Sequence, residues 1–495
     1  MNIAELRGER HFATILLSEG QTLNAEFALR GRDTYLKLYG SSDFDRMLAN
    51  TSYLAAILTD DTKLTFVQPV LVQSSRMRNA DGLTYSATLL PHFVTVGRYH
   101  ATDMILLKSV SLLVDDAAII FNDFDSFRMA SRPEEYFGEI IARDEEFAQR
   151  RISRGGEPVV VYFNGKFRIF SAEAEVGNVS ACHRISSSIA LSKSARIESH
   201  IYVDSNLTEL NSIGGIVDHS LTLLRFLELV AGRRQNLIRM LVSTNGSDDP
   251  QPLEIYWCMR SEREQSDRAP APGDLPIRGG LDPEEFGLVL ANWLNLDSSR
   301  RDARVRFSNG FSKGSLYDTD RLIGAANMFD ILPPEATGLK PELTRALVEA
   351  RDQARTLFRT LPPSIERDSI LNSLGRLGRP NLKHKIRFRV EKIMAAADNR
   401  LPELFSVVDE AVNWRNHYVH GSGSALDFEG LSAILLPFLT DTLEFVFAAS
   451  EFIEAGWDFK RWTANGTSMT HPWGRYVVDY RANLAFLKQN LAAER

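Results

Sequence analysis

At 495 residues the chain is longer than one ordinary core needs, so two or three domains are expected. A composition of 44% hydrophobic and 24% charged residues excludes a disordered or fibrous chain, and a net charge of −7 confines any nucleic-acid surface to a local patch. The two cysteines, Cys182 and Cys258, exclude a disulfide framework and a thiolate metal site, which fits a reducing cytoplasm.

The first ten residues hold no apolar core, so a signal peptide is not expected. Residues 10–205 read as β-rich. Short apolar or alternating runs recur between turn residues at His11–Leu17, Leu23–Leu29, Thr34–Tyr39, Leu64–Val72, Leu83–Val96, Met104–Val114 and Ala117–Phe121. A helical stretch near Pro133–Arg150 precedes a second group at Val159–Phe163, Lys166–Ala174, Ser187–Leu191 and Arg196–Val203. Asn164-Gly165 predicts a two-residue hairpin between Val159–Phe163 and Lys166–Phe170. Strands this short and this frequent predict a sandwich-like or barrel-like region, with two subdomains if it splits near 130–155.

The period changes at Thr208–Leu229, where Leu210, Ile213, Val217, Leu221 and Leu224 fit one helix face. Strands return at Asn236–Val242 and Leu253–Trp257, which closes an N-terminal region over 1–265. Residues 266–280, within a stretch rich in Pro and Gly, read as a linker. Beyond it, 281–495 is predicted to be helical. Asp282-Pro283 starts the first helix, and others follow at about 299–310, 316–331, 340–360, 364–375, 380–397, 402–420 and 427–455. Leu431–Ser450 is apolar enough to consider as a membrane span. It contains Pro437, Asp441 and Glu444, and is expected to be a buried helix, with no membrane partner.

The chemistry concentrates at the end of the 402–420 helix, in Arg415-Asn416-His417-Tyr418-Val419-His420-Gly421. Residues four apart share a helix face, so Asn416 can orient the His420 imidazole. Arg415 lies about 100° round the helix from Asn416, and its guanidinium is long enough to curl toward the same pocket. It can grip phosphate through two N–H groups and stays charged at any working pH. Gly421 is expected to end the helix, with Gly423 reinforcing the stop. That would leave His420 at the negative end of the helix dipole, where imidazolium is favoured. An arginine and a histidine so placed are the minimum kit for RNA transesterification without a metal; one histidine per chain is few for a reaction that needs both an acid and a base, and a symmetric dimer would bring two motifs together. With 45 Arg and 10 His, about one Arg-x4-His pair arises by chance, and an Arg and a His closing a helix also read as a cap with surface charges. His417 and Tyr418 read as packing or substrate-side neighbours.

A second cluster, Arg379, Lys383, His384, Lys385, Arg387, Arg389 and Lys392, crowds one predicted helix. Lys383, His384 and Arg387 are candidate RNA-backbone contacts, as is His417; pairing with Glu403, Asp409 or Glu410 is the alternative. Asp115, Asp116, Asp123 and Asp125 are the nearest approach to a metal cluster, with Asp43 and Asp45 weaker. None has a partnered His, so no metal and no cofactor are expected. His183 and His219 read as isolated core or surface histidines. A Walker loop, a His-Glu-x-x-His and a Gly-x-Ser-x-Gly are all missing from the sequence, which removes the support for nucleotide hydrolysis, zinc proteolysis and ordinary hydrolase chemistry.

Arg415-Asn416-x-x-x-His420, closing an apolar helix and followed by a long one, resembles the signature of HEPN-domain ribonucleases. The wider pattern is similar to the ApeA-type HEPN proteins of bacterial anti-phage defence, with Leu316–Leu332 as a first helix, Leu382–Ile393 as a basic one and Val407–Tyr418 leading into the motif. The resemblance implies an α+β multidomain chain with an all-α HEPN bundle after the β-rich region. It also implies a homodimeric, metal-independent endoribonuclease giving 2′,3′-cyclic phosphate and 5′-OH ends, with Arg415, Asn416 and His420 at the site. Its substrate would be cellular RNA, tRNA first, cut in abortive infection, with the N-terminal region sensing an unknown phage-derived trigger. The competing reading is a non-catalytic HEPN-like dimerisation or RNA-binding module of a defence or toxin–antitoxin system. A small-molecule enzyme built on the β region has no motif behind it.

Overall fold

The computed structural model describes residues 2–493 apart from 18–20, 42–47, 49–50, 80–81, 100–105, 154–155, 158, 191–193, 245–250, 259–267, 339–342, 379, 398, 422–427 and 466–468. Asp43, Asp45, Arg379 and Gly423 lie outside the described residues. The chain divides into two compact units: residues 1–224, 235–266 and 278–287 form one, and 225–234, 267–277 and 288–495 the other.

The first unit is built on β1 (His11–Leu16), β2 (Thr22–Ala28), β3 (Tyr35–Gly40), β4 (Tyr53–Leu58), β5 (Lys63–Val67), β6 (Val70–Asn79), β7 (Gly82–Leu90), β8 (Phe93–Val96) and β9 (Leu107–Val114). They are joined by β10 (Phe127–Met129), β11 (Val161–Phe163), β12 (Arg168–Ala174), β13 (Gly177–Ala190), β14 (Ser194–Asn211), β15 (Leu237–Ser243) and β16 (Leu253–Trp257). Fourteen of these form one sheet in the order β12-β13-β14-β9-β15-β16-β8-β5-β4-β1-β2-β3-β7-β6, while β10 and β11 pair apart. Alternation drives the pairing: Ala13 and Ile15 of β1 point inward, opposite Ala25 and Leu23 of β2. The half from β16 to β7 curls round its own core. Phe27 of β2 and Phe66 of β5 are three strand spacings apart, about 14 Å in a flat sheet, yet their ring centroids lie 5.3 Å apart. Tyr256 of β16 likewise reaches across to accept from the Gly31 amide at 2.7 Å.

Two local expectations are corrected. Ala117–Phe121 is not a strand: Ala117–Ile120 is a short helix, α2, following α1 (Ile3–Leu6). The Ile119 and Ile120 amides turn back onto the Asp116 carbonyl, and a five-residue apolar run is too short for periodicity to separate the two states. Asn164-Gly165 makes no hairpin, because β11 pairs with β10 and β12 pairs with β13. Tertiary bonds take the turn instead: the Asn164 amide donates to the Ser126 carbonyl and the Lys166 amide to Asp123. α3 (Glu134–Ala148) follows β10 and buries none of its residues.

Helices α4 (Ile213–Ala231) and α5 (Pro283–Asn295) contribute to both units. The second unit contains α6 (Asp297–Phe311), α7 (Thr319–Asp330), α8 (Arg345–Thr360), α9 (Ile365–Arg376), α10 (Leu382–Met394), α11 (Leu404–His420), α12 (Phe428–Ala455), α13 (Phe459–Ala464) and α14 (Pro472–Ala493). Helices α7, α10, α11 and α12 pack on one another as a bundle, with α6 against α7 and α14 against α12. α12 is long and apolar enough to span a membrane by composition, but most of its apolar stretch is buried, with Leu435, Leu439, Leu443 and Val446 in the bundle core. Residues 268–280 do not behave as an exposed connector. Leu275 and Ile277 are buried, Trp457 Nε1 donates to the Pro276 carbonyl at 2.8 Å, and the Gly279 amide donates to the Ile120 carbonyl.

A charged cluster lies inside this bundle. Arg389 is fully buried and donates to Glu451 at 2.7 Å, to Ser450 Oγ at 2.8 Å and to Glu454 at 2.5 Å. Arg300 joins the same two carboxylates at 2.6 and 2.8 Å, and Arg304 reaches Glu451 at 2.8 Å. Burial raises the Glu454 carboxyl, but the Arg300 hydrogen bond and the Arg389 and Arg300 charges outweigh it and hold it down at about 2.

Candidate active site

The motif closes α11. Leu404, Val407, Val408, Ala411 and Val412 are buried at the spacing of one helix face, and Trp414 is fully buried beside them, so the last turn is fixed on the bundle. The helix ends at Gly421, whose φ of 62° is the left-handed conformation that favours glycine, and whose amide donates to the His417 carbonyl at 2.9 Å. This placement leaves Arg415 and Asn416 half-buried and His420 exposed at the helix end.

Arg415 is held by two neutral acceptors. Its Nη1 donates to Asn416 Oδ1 at 3.0 Å and its Nη2 to Asn327 Oδ1 of α7 at 2.8 Å. Its Nε is shielded from solvent and finds no acceptor among the described residues. No carboxylate among the described residues pairs with Arg415, whereas Arg300, Arg304, Arg321 and Arg389 each bind glutamate. The Asn416 oxygen therefore serves Arg415 rather than His420. Arg415 and His420 are five positions apart, about 140° round the helix, so the helix does not by itself turn both toward one point.

His417 sits between these residues, with its ring edge-on to Tyr418 at 5.4 Å; burial pushes the Tyr418 hydroxyl up. Along α10, Lys383 Nζ donates to Asn413 of α11 at 2.7 Å, four positions before His417 and hence on its face. Arg387 pairs through both nitrogens with Asp409, one turn earlier on α11. The His384 amide is capped by Asn381 at 2.9 Å. The basic helix is thus not one solvent-facing patch. Arg389 points into the bundle, Lys385 bonds Asp330 at 3.1 Å, and Lys392 lies 3.7 Å from Glu454.

The aspartates considered for a metal are engaged elsewhere. Asp115 accepts from the Asn236 amide at 3.1 Å, Asp116 from Gln235 at 2.7 Å, Asp123 from the Lys166 amide at 3.0 Å, and Asp125 from Arg128. No group of three or more metal-binding side chains occurs among the described residues. His183 is buried, with Nδ1 2.6 Å from Ser199 Oγ and Nε2 3.5 Å from Asp123, and burial lowers its pKa. His219 lies 2.8 Å from Ser205 Oγ. His219 has a local hydroxyl partner, whereas His183, expected to be isolated, lies against Asp123, and its Nε2 is buried without a hydrogen bond among the described residues.

Asn327 is the residue at this site that sequence reasoning missed. It lies 88 positions from Arg415, and no local spacing connects the two.

A four-helix bundle with an arginine–asparagine–histidine motif at the end of its third helix defines the class, a HEPN-type helical domain. A family model described as Apea-like HEPN matches residues 323–460, and one described as ApeA N-terminal domain 1 matches residues 24–293. The chain belongs to the ApeA family, and this architecture fits a HEPN defence effector. No match was found among curated proteins or among solved structures.

Proposed function

We propose that the chain is a HEPN-type endoribonuclease that cuts RNA without a metal ion. The observation that carries this reading is the state of Arg415, half-buried and held by two amide oxygens, with no carboxylate among the described residues cancelling its charge. A cation so presented binds a phosphodiester and stabilises the extra negative charge of the pentacoordinate phosphorane. The 2′-OH attacks the adjacent phosphorus, its proton passes to a base, and the 5′-oxygen leaves with a proton from an acid. The products are a 2′,3′-cyclic phosphate and a 5′-OH. His420 performs one of these proton transfers.

One such histidine per chain serves one transfer, and in a single helix His420 points well away from Arg415. A homodimer resolves both points, because a two-fold axis brings a second motif alongside the first. The test is dominance. His420→Ala protein co-expressed in excess with wild type should suppress cleavage beyond simple dilution, because a mixed dimer keeps only one of the two histidines that the two proton transfers need. Cleavage that falls only in proportion to the wild-type share, with mixed dimers shown to form, would remove the shared site.

Cellular RNA is the substrate class, with tRNA the first to examine, and the outcome is growth arrest in phage infection in a reducing cytoplasm. The β-rich region restrains the nuclease until a phage-derived trigger appears. Deleting residues 1–265 should therefore change toxicity, upward by release or downward by lost assembly; unaltered toxicity would count against restraint. One observation favours a non-catalytic module: the Arg415–Asn327 bond ties α11 to α7, a role that needs no substrate. A wild type that cleaves no RNA even with residues 1–265 deleted, together with loss of stability in Arg415→Ala, would select that reading.

A further inference from the structure

Arginines in the helical unit are held in two ways. Arg300, Arg304, Arg321 and Arg389 are each side-chain exposed by 3% or less and paired with a glutamate within 2.8 Å. Arg415 is held instead by two side-chain amides, one adjacent in sequence and one from another helix. Asn327 lies in the last turn of α7, with Ala326 and Met328 buried on either side, so its backbone is fixed by the bundle core. Its Oδ1 orients the guanidinium as a carboxylate would, yet it carries no net charge. The shielded Nε without an acceptor is the kind of buried donor that a ligand oxygen satisfies.

We propose that Asn327 is the positioning residue for Arg415: it fixes the guanidinium from a second helix and, by being neutral, leaves the full charge for an RNA phosphate. This rests on the reading of Arg415 as a phosphate ligand. The neutrality of position 327, not only its hydrogen bond, is then the functional requirement. An aspartate there is nearly isosteric and keeps an acceptor oxygen, but it forms an ion pair that cancels the charge. A purely structural Asn327 would tolerate that change well, since a charge-assisted bond replaces a neutral one. A phosphate-positioning Asn327 would not.

The experiment measures binding of a short single-stranded RNA with all 2′-OH groups replaced by hydrogen, and hence uncleavable, to the full-length protein over a range of salt. Wild type, Asn327→Asp, Asn416→Asp and Arg415→Ala are compared, with melting temperatures taken in parallel. The expected result is that Asn327→Asp melts at or above wild type but binds about tenfold more weakly or worse. Its dependence of log affinity on log salt should fall by about one phosphate contact, as in Arg415→Ala. Asn416→Asp cancels the charge from the other side of the clamp and should do the same, which keeps the question open to test if Asn327→Asp folds poorly. Wild-type affinity in both aspartate variants alongside weakened Arg415→Ala would overturn the role of Asn327 while leaving that of Arg415. Wild-type affinity in Arg415→Ala would overturn the phosphate reading itself, and the role of Asn327 with it.

Discussion

The bundle interior and the end of α11 place arginines under opposite rules. Inside, Arg300, Arg304 and Arg389 converge on Glu451 and Glu454, and every charge meets its opposite. At the end of α11, Arg415 meets only amides among the described residues, so its charge remains available. A buried ion cluster is tolerable only when its partners are complete, because desolvation costs several kcal/mol for each ion. A half-exposed arginine can stay uncompensated because solvent still screens it. The same residue type thus specifies the fold in one place and presents a charge to a ligand in the other.

The comparison breaks first at its interior half. Glu451→Ala leaves three arginine side chains facing a buried gap and should cost about 3–5 kcal/mol of stability, read by urea denaturation. A loss below about 1 kcal/mol would show that the cluster is wetter than its burial implies. The same cluster gives the acid limb. Glu454 is held at about 2 in the fold, below the ordinary 4.5, so its contribution is complete above pH 4.5 and is lost as pH falls toward 2. Glu454→Gln should flatten stability over that window, and an unchanged acid limb would remove Glu454 as its source.

An effect of opposite sign is expected at Asp441, elsewhere on α12. Burial and the neighbouring Glu444 push Asp441 up to about 7, although the Tyr317 hydroxyl donates to both of its oxygens and Arg321 and Arg475 lie near. The folded state therefore holds this proton more tightly than the unfolded chain, and ionising it lowers stability as pH rises from about 4 to 7. The melting temperature of Asp441→Asn should gain on wild type across that window and keep a constant lead above it. A gap that does not vary with pH would contradict the raised value. The smallest effect belongs to Arg387. Asp409 already neutralises it, so Arg387→Ala should alter RNA affinity by less than about threefold, whereas Lys383→Ala, whose side chain bonds the neutral Asn413, should weaken it more.

Much of the fold was legible in the sequence, for physical reasons visible in particular elements. The β2 run alternates, and α11 carries its apolar residues at helical spacing up to a glycine that must adopt positive φ. Leu64–Val72 reads as one apolar run but belongs to two strands, β5 and β6, with Gln68 at a φ of 48° between them. The 459–464 and 472–493 helices fall in the region expected to be helical but were not individually delimited from the sequence; Trp473 packs on Phe452 of α12, and Trp457 on Trp462 and Trp473. The motif is legible because its residues share one helix. Its partners are not: Asn327, Asp409 and Asn413 are chosen by packing between helices, which no local spacing encodes. Composition also could not tell Arg389 from Arg387, two positions apart on one helix, one fully buried and one half-exposed.

The most direct measurement incubates full-length wild type, Arg415→Ala and His420→Ala with total tRNA in EDTA and determines the chemistry of the product ends. The account predicts 2′,3′-cyclic phosphate and 5′-OH ends from wild type, and at least a hundredfold slower cleavage by both folded variants. Products with 3′-OH ends, or cleavage that survives either substitution, would contradict it.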